Sequence, residues 1–107
     1  MKKCLIIANG KSPTKKMVEY FYTKGFNTII CADGGANSAK ELGIVPDFII
    51  GDLDSAEIKT LEFFQTKSEI IKIKRQNDTD VEKCLKFAIR NKFDEVVLLG
   101  VTGDRLD

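Results

Sequence analysis

The chain has 107 residues, which is enough for one domain with a single modest core and too few for two. Seventeen Lys and Arg against sixteen Asp and Glu leave a formal net charge of +1, which gives no electrostatic case for a nucleic-acid or anionic-membrane partner. Histidine is absent, so these residues cannot build a Ser-His-Asp triad, a Cys-His pair or a His-based zinc site. Chemistry must rest on carboxylates, Lys or Arg, backbone amides and a metal.

An apolar run at residues 4–8 predicts a first strand buried on both faces. It is too short for a signal-peptide core, and nothing in the chain approaches transmembrane length. Asn9-Gly10-Lys11-Ser12-Pro13 turns the chain. Thr14 can then cap a helix over 15–24, with Met17, Val18 and Phe21 as its inner stripe and Gly25 as its stop. A second strand at 28–32 ends in Asp33-Gly34-Gly35-Ala36-Asn37, followed by a short helix to about Leu42 that Gly43 closes. The third strand, 48–50, runs into Gly51-Asp52-Leu53-Asp54-Ser55, with Ser55 as N-cap of a helix lined by Ile58, Leu61 and Phe64. Residues 69–73 alternate enough to form a fourth strand nearer a sheet edge. Arg75-Gln76-Asn77-Asp78-Thr79-Asp80 precedes a helix with Val81, Cys84, Leu85, Ala88 and Ile89 on one face, opened by a Thr79–Glu82 capping box. A fifth strand, 96–99, leads to Gly100-Val101-Thr102-Gly103-Asp104-Arg105-Leu106-Asp107. The seven Phe read as core or near-core. Cys4, Cys31 and Cys84 lie in apolar patterns with no Cys-x-x-Cys, the signature of buried reduced thiols in a cytosolic protein.

Strands alternating with helices at this rhythm predict an α/β fold: a three-layer, Rossmann-like parallel sheet with helices on both faces. Ligands in such folds bind beyond the carboxyl ends of the strands. Asp33, Asp52, Asp54, Asp78, Asp80 and Asp107 all fall at those ends, with Asn9 at the same level after the first strand. Asp52 and Asp54 stand two apart, so in extended chain both carboxylates face one point, an arrangement suited to a hard divalent cation and to Mg²⁺ above all. Any one of these aspartates can equally be a helix cap or turn residue. Asp33-Gly34-Gly35 reads either as a turn needing positive φ or as a place where backbone N–H groups approach a phosphate. No Walker A loop and no complete Gly-x-Gly-x-x-Gly fingerprint occurs. Arg105 can join a surface network with Asp104 or Asp107, or offset the charge of a triphosphate. The residues alone thus describe a metal-dependent, phosphate- or nucleotide-handling domain.

Four motifs, in order, resemble the catalytic domain of thiamine pyrophosphokinase. They are Ala32-Asp33-Gly34-Gly35-Ala36-Asn37; Pro46-Asp47 with Gly51-Asp52-Leu53-Asp54-Ser55; Asn77-Asp78-Thr79-Asp80 ahead of Glu82-Lys83-Cys84-Leu85; and the segment from Gly100 to Asp107. The resemblance implies transfer of the terminal pyrophosphate of ATP to thiamine, giving thiamine pyrophosphate and AMP. It implies Asp52, Asp54 and Asp80 as the residues holding Mg²⁺ and the triphosphate, one of them accepting the hydroxyl proton. Asp33, Asp78, Asn9, Gly34, Gly35 and Asn37 would lie on the nucleotide side, with Arg105 and Asp107 in the closing loop and Gln76 as a thiamine contact. Family members continue past the equivalent of Asp107 into a β-rich domain that helps bind thiamine and form a homodimer. Residues 1–107 are therefore expected to be an incomplete catalytic domain. The alternatives are another metal-dependent nucleotide-using transferase, since Asp-x-Asp after a strand also serves nucleotide sugars, and a non-catalytic nucleotide-binding module.

Overall fold

The computed structural model describes residues 2–74 and 78–100. Five strands, β1 (Lys3–Ile7), β2 (Thr28–Ala32), β3 (Phe48–Gly51), β4 (Glu69–Lys72) and β5 (Glu95–Leu99), form one parallel sheet in the order β4-β3-β2-β1-β5. Four helices connect them: α1 (Lys15–Thr23), α2 (Gly35–Leu42), α3 (Ile58–Phe64) and α4 (Asp80–Arg90). The chain walks outward from β1 to β4, then crosses back to place β5 on the other side of β1. Handed crossovers put α1, α2 and α3 on one face and α4 on the other, giving the predicted three layers. β4 is an edge strand, as its alternation implied.

Alternation along the strands divides the core in two. Leu5, Ile7, Ile29, Cys31 and Ile49 pack against Val18 of α1, Ala36 and Ala39 of α2, and Phe64 of α3. Cys4, Ile6, Ala8, Ile30, Ala32 and Ile50 face Cys84 and Ala88 of α4. Small residues on α2 and α4 let those helices approach the sheet closely. All three cysteines are buried free thiols.

Local chemistry sets the helix ends. The Thr14 hydroxyl accepts the Met17 N–H at 3.2 Å to open α1. Beyond its last turn, Gly25 at φ 98° and Phe26 donate to the Tyr22 and Phe21 carbonyls, a Schellman closure. The Thr79–Glu82 capping box of α4 is complete, with bonds of 2.9 and 3.2 Å.

Several expected positions move. α3 begins at Ile58 with Glu57 as N-cap, not Ser55, because the Ser55 and Ala56 N–H groups are drawn to Asp33 instead. Ile58 is 75% exposed, and the inner positions of this seven-residue helix are Thr60 and Phe64, one turn apart. Ile89 is 74% exposed: Cys84 and Ala88 set the inner line of α4, and Ile89 falls about 100° round from Ala88. Met17 is likewise exposed beside buried Val18. Phe63 lies on the surface, with the Lys40 and Lys67 ammonium groups 5.6 and 4.6 Å from its ring centre.

Candidate active site

The carboxyl ends of β2 and β3 are joined by side chains that fix the loop between β3 and α3. Asp33 follows β2 with φ 47°, a left-handed turn that carries its carboxylate under that loop. Its own N–H continues the ladder by donating to the Ile50 carbonyl at 2.9 Å. The carboxylate, fully buried, accepts the Ala56 N–H at 2.9 Å and the Ser55 N–H at 3.2 Å. Asn37, one turn into α2, clamps the same loop: its amide donates to the Ser55 carbonyl at 3.1 Å and accepts the Glu57 N–H at 3.0 Å.

Three glycines exist for close approach. Gly34 and Gly35 do not supply the positive φ of this turn; Asp33 does. A Cβ on Gly34 would strike the Asn9 side chain, and one on Gly35 would strike the Ile7 carbonyl oxygen of β1. Gly51, at φ 151°, ends β3 beneath the site, where a Cβ would lie 2.9 Å from Asp80 Oδ1 and 3.0 Å from the Asp33 Cβ.

Above Gly51, carboxylate oxygens of Asp33, Asp52 and Asp80 lie within 4.8 Å of one another. Asp52 and Asp54 are not in extended chain. Leu53, between them, takes φ 67° and packs its side chain onto the core, so the chain turns there. Asp52 joins Asp33 and Asp80, whereas Asp54 lies at the exposed margin, donating its N–H to Asp52 Oδ1 at 3.4 Å. The Asp54 carboxyl is near enough to help raise the Asp33 carboxyl. Asp78 stands apart from the cluster, paired with Lys86 Nζ at 2.9 Å, and that pairing holds its carboxyl below the usual range. Gln76, Arg105 and Asp107 lie outside the described residues.

Burial pushes the Asp33 carboxyl up to about 6; the neighbouring Asp52 and Asp54 carboxyls add to this, against the lowering pull of the Ala56 and Ser55 N–H groups. Three carboxylates this close cannot all ionise without a compensating charge, and an all-oxygen donor set matches a hard divalent cation rather than zinc or copper. Lys83 brings the cation the sequence reading overlooked. Its side chain is only 3% exposed, and Nζ lies 3.4 Å from Asp80 Oδ1. The signal was available: a Lys three residues after Asp80, one turn along the same helix.

Fold and site together define a doubly wound parallel α/β domain with an acid-lined, oxygen-donor site beyond the carboxyl ends of its strands. The chain belongs to the thiamin pyrophosphokinase catalytic-domain family, whose model matches residues 21–107. It is 33% identical over 91 residues to the thiamine pyrophosphokinase of Saccharomyces cerevisiae, an alignment covering 76% of this chain and 28% of that protein. It is 30% identical over 101 residues to thiamine pyrophosphokinase 1 of Oryza sativa subsp. japonica, covering 73% and 38%. The crystal structure of the yeast thiamin pyrophosphokinase superposes with a TM-score of 0.71 at 30% identity, over 83% of this chain and 32% of that one. The Bacillus subtilis enzyme structure shares the fold at a TM-score of 0.76 and 23% identity, over 99% and 50%. The chain thus spans about a third of the length of the curated relatives it matches.

Proposed function

We propose that the chain is the catalytic portion of an enzyme that transfers pyrophosphate from ATP to the hydroxyl oxygen of thiamine, giving thiamine diphosphate and AMP. The observation that carries this reading is the convergence of Asp33, Asp52 and Asp80 oxygens within 4.8 Å in a chain of this family. These three residues would hold Mg²⁺, with Asp54 at the margin. The ion, when bound, offsets phosphate charge and polarises the phosphoryl oxygens.

The remaining work is positioning, which is most of what phosphoryl transfer requires of a protein. Asp33 and Asn37 hold the β3–α3 loop rigid, so Asp52 is presented from a fixed backbone. Gly34 and Gly35, both buried, let the start of α2 pack against the Asn9 side chain and β1, and exposed Asn9 is assigned to the nucleotide side. The thiamine oxygen attacks the β-phosphorus, AMP leaves with the α-phosphate, and a carboxylate of the cluster takes the hydroxyl proton. Gln76 is assigned to thiamine, with Asp78, Arg105 and Asp107 on the nucleotide side. In the longer protein a β-rich domain would complete the thiamine pocket and a homodimer interface. Three buried free thiols fit a cytoplasmic setting.

Calorimetric titration with ATP tests the site. Binding should require Mg²⁺ and weaken at least tenfold in Asp80→Asn; equal affinity without the ion, or in the variant, would sink this reading. With thiamine added, AMP should accumulate, and ADP in its place would rule out pyrophosphate transfer.

A further inference from the structure

We propose that the chain carries a second ligand site, an anion pocket beside α4 that takes a phosphate or pyrophosphate group. A cavity of about 170 Å³ is lined there by Ile73, Asp78, Lys83, Lys86 and Arg90. The volume suits a small anion rather than a whole nucleotide. Lys83, Lys86 and Arg90 stand at i, i+3 and i+7, so a single face of α4 delivers all three cations. Among the described residues Asp78 pairs with Lys86 at 2.9 Å and Asp80 with Lys83 at 3.4 Å, so the surplus positive charge at the cavity is that of Arg90.

Lys83 is the central group. A buried ammonium needs close acceptors, and its 3.4 Å contact with Asp80 is longer than a charge-assisted hydrogen bond of about 2.7–2.9 Å. With three donors it retains capacity for a further oxygen acceptor. Arg90 adds a planar fork suited to two oxygens of one phosphate, and Ile73 supplies an apolar wall. The acidic cluster and this pocket stand on either side of the Asp80–Lys83 contact, one drawing a cation and the other an anion. The pocket does not depend on the transferase reading. Its phosphate could come from free inorganic anion or from the tail of a nucleotide.

The test is an amide NMR titration of the chain in EDTA at fixed ionic strength, using phosphate, pyrophosphate and ATP separately. Saturable shifts are expected at Lys83, Lys86, Arg90 and Ile73. The double variant Lys86→Ala/Arg90→Ala should weaken them at least tenfold while the rest of the spectrum is retained. Asp52→Asn should leave them within about twofold, which separates this pocket from the metal site. Saturation by phosphate or pyrophosphate identifies a free-anion site, and saturation by ATP alone identifies a nucleotide tail. Absence of saturable shifts with all three, equal affinity in the double variant, or loss in Asp52→Asn would overturn the proposal.

Discussion

At Asp33 the backbone turns through φ 47° and sends a carboxylate inward, where it accepts two loop N–H groups and meets two other aspartates. Its carboxyl is raised from 3.8 to about 6, chiefly by burial, so the fold favours the neutral acid. The sign of the linkage follows: the stabilising contribution is present below 3.8 and is lost as pH rises through about 6. Without divalent cation, thermal stability should therefore decline across that window, and Asp33→Asn should flatten the decline. Millimolar Mg²⁺ should raise the wild-type melting temperature more at pH 7 than at pH 5. A stability profile in EDTA with the same slope in both proteins would contradict this account. The residue type and place of Asp33 were legible in the sequence, but its burial was not. Burial depends on the Ser55 and Ala56 N–H groups, about twenty residues away along the chain.

At the scale of elements, α4 carries two end effects of opposite sign. Its capping box satisfies otherwise orphaned N–H groups, and Thr79→Ala should cost about 1 kcal/mol in a denaturation experiment. Its far end closes on Lys92 at φ 62°, with the Phe93 N–H donating to Ala88. A non-glycine residue there is strained, so Lys92→Gly should stabilise by about 1 kcal/mol in the same experiment. The capping box was readable because it is written in four consecutive residues. The exposure of Ile89, Ile58 and Met17 was not readable, since helical periodicity gives an apolar stripe while the sheet's position decides which edge of it is covered. The Leu53 turn escaped for the same reason: the pull of the core on one side chain outweighed the extended geometry that Asp52 and Asp54 had implied.

Across the whole molecule, the three thiols report on cooperativity. Cys4 and Cys31 sit on the central strands β1 and β2 and point to opposite faces of the sheet; Cys84 faces Cys4 from α4, and Cys31 lies under α1, α2 and α3. Burial pushes the Cys4 thiol up to about 11 and that of Cys84 to about 12, and raises Cys31 as well. Thiolate is therefore scarce near pH 8, and none of the three is accessible in the native fold. Labelling with a thiol reagent at that pH should proceed at one common rate set by global unfolding. Rapid reaction of Cys4 or Cys84 alone in the native protein would mean that α4 opens independently of the sheet, and of Cys31 alone that the opposite helical layer does.

The sequence by itself determined the elements, their alternation and the level at which the aspartates gather. Those properties follow from local periodicity, caps and the short reach of a strand into its turn. Only the tertiary structure decided which oxygens meet, Asp33 with Asp52 and Asp80, and that a buried Lys83 stands behind Asp80. Convergence is a property of three backbone ends, those of the adjacent strands β2, β3 and β4, and the sheet order that sets them side by side is recorded in no single stretch of the chain.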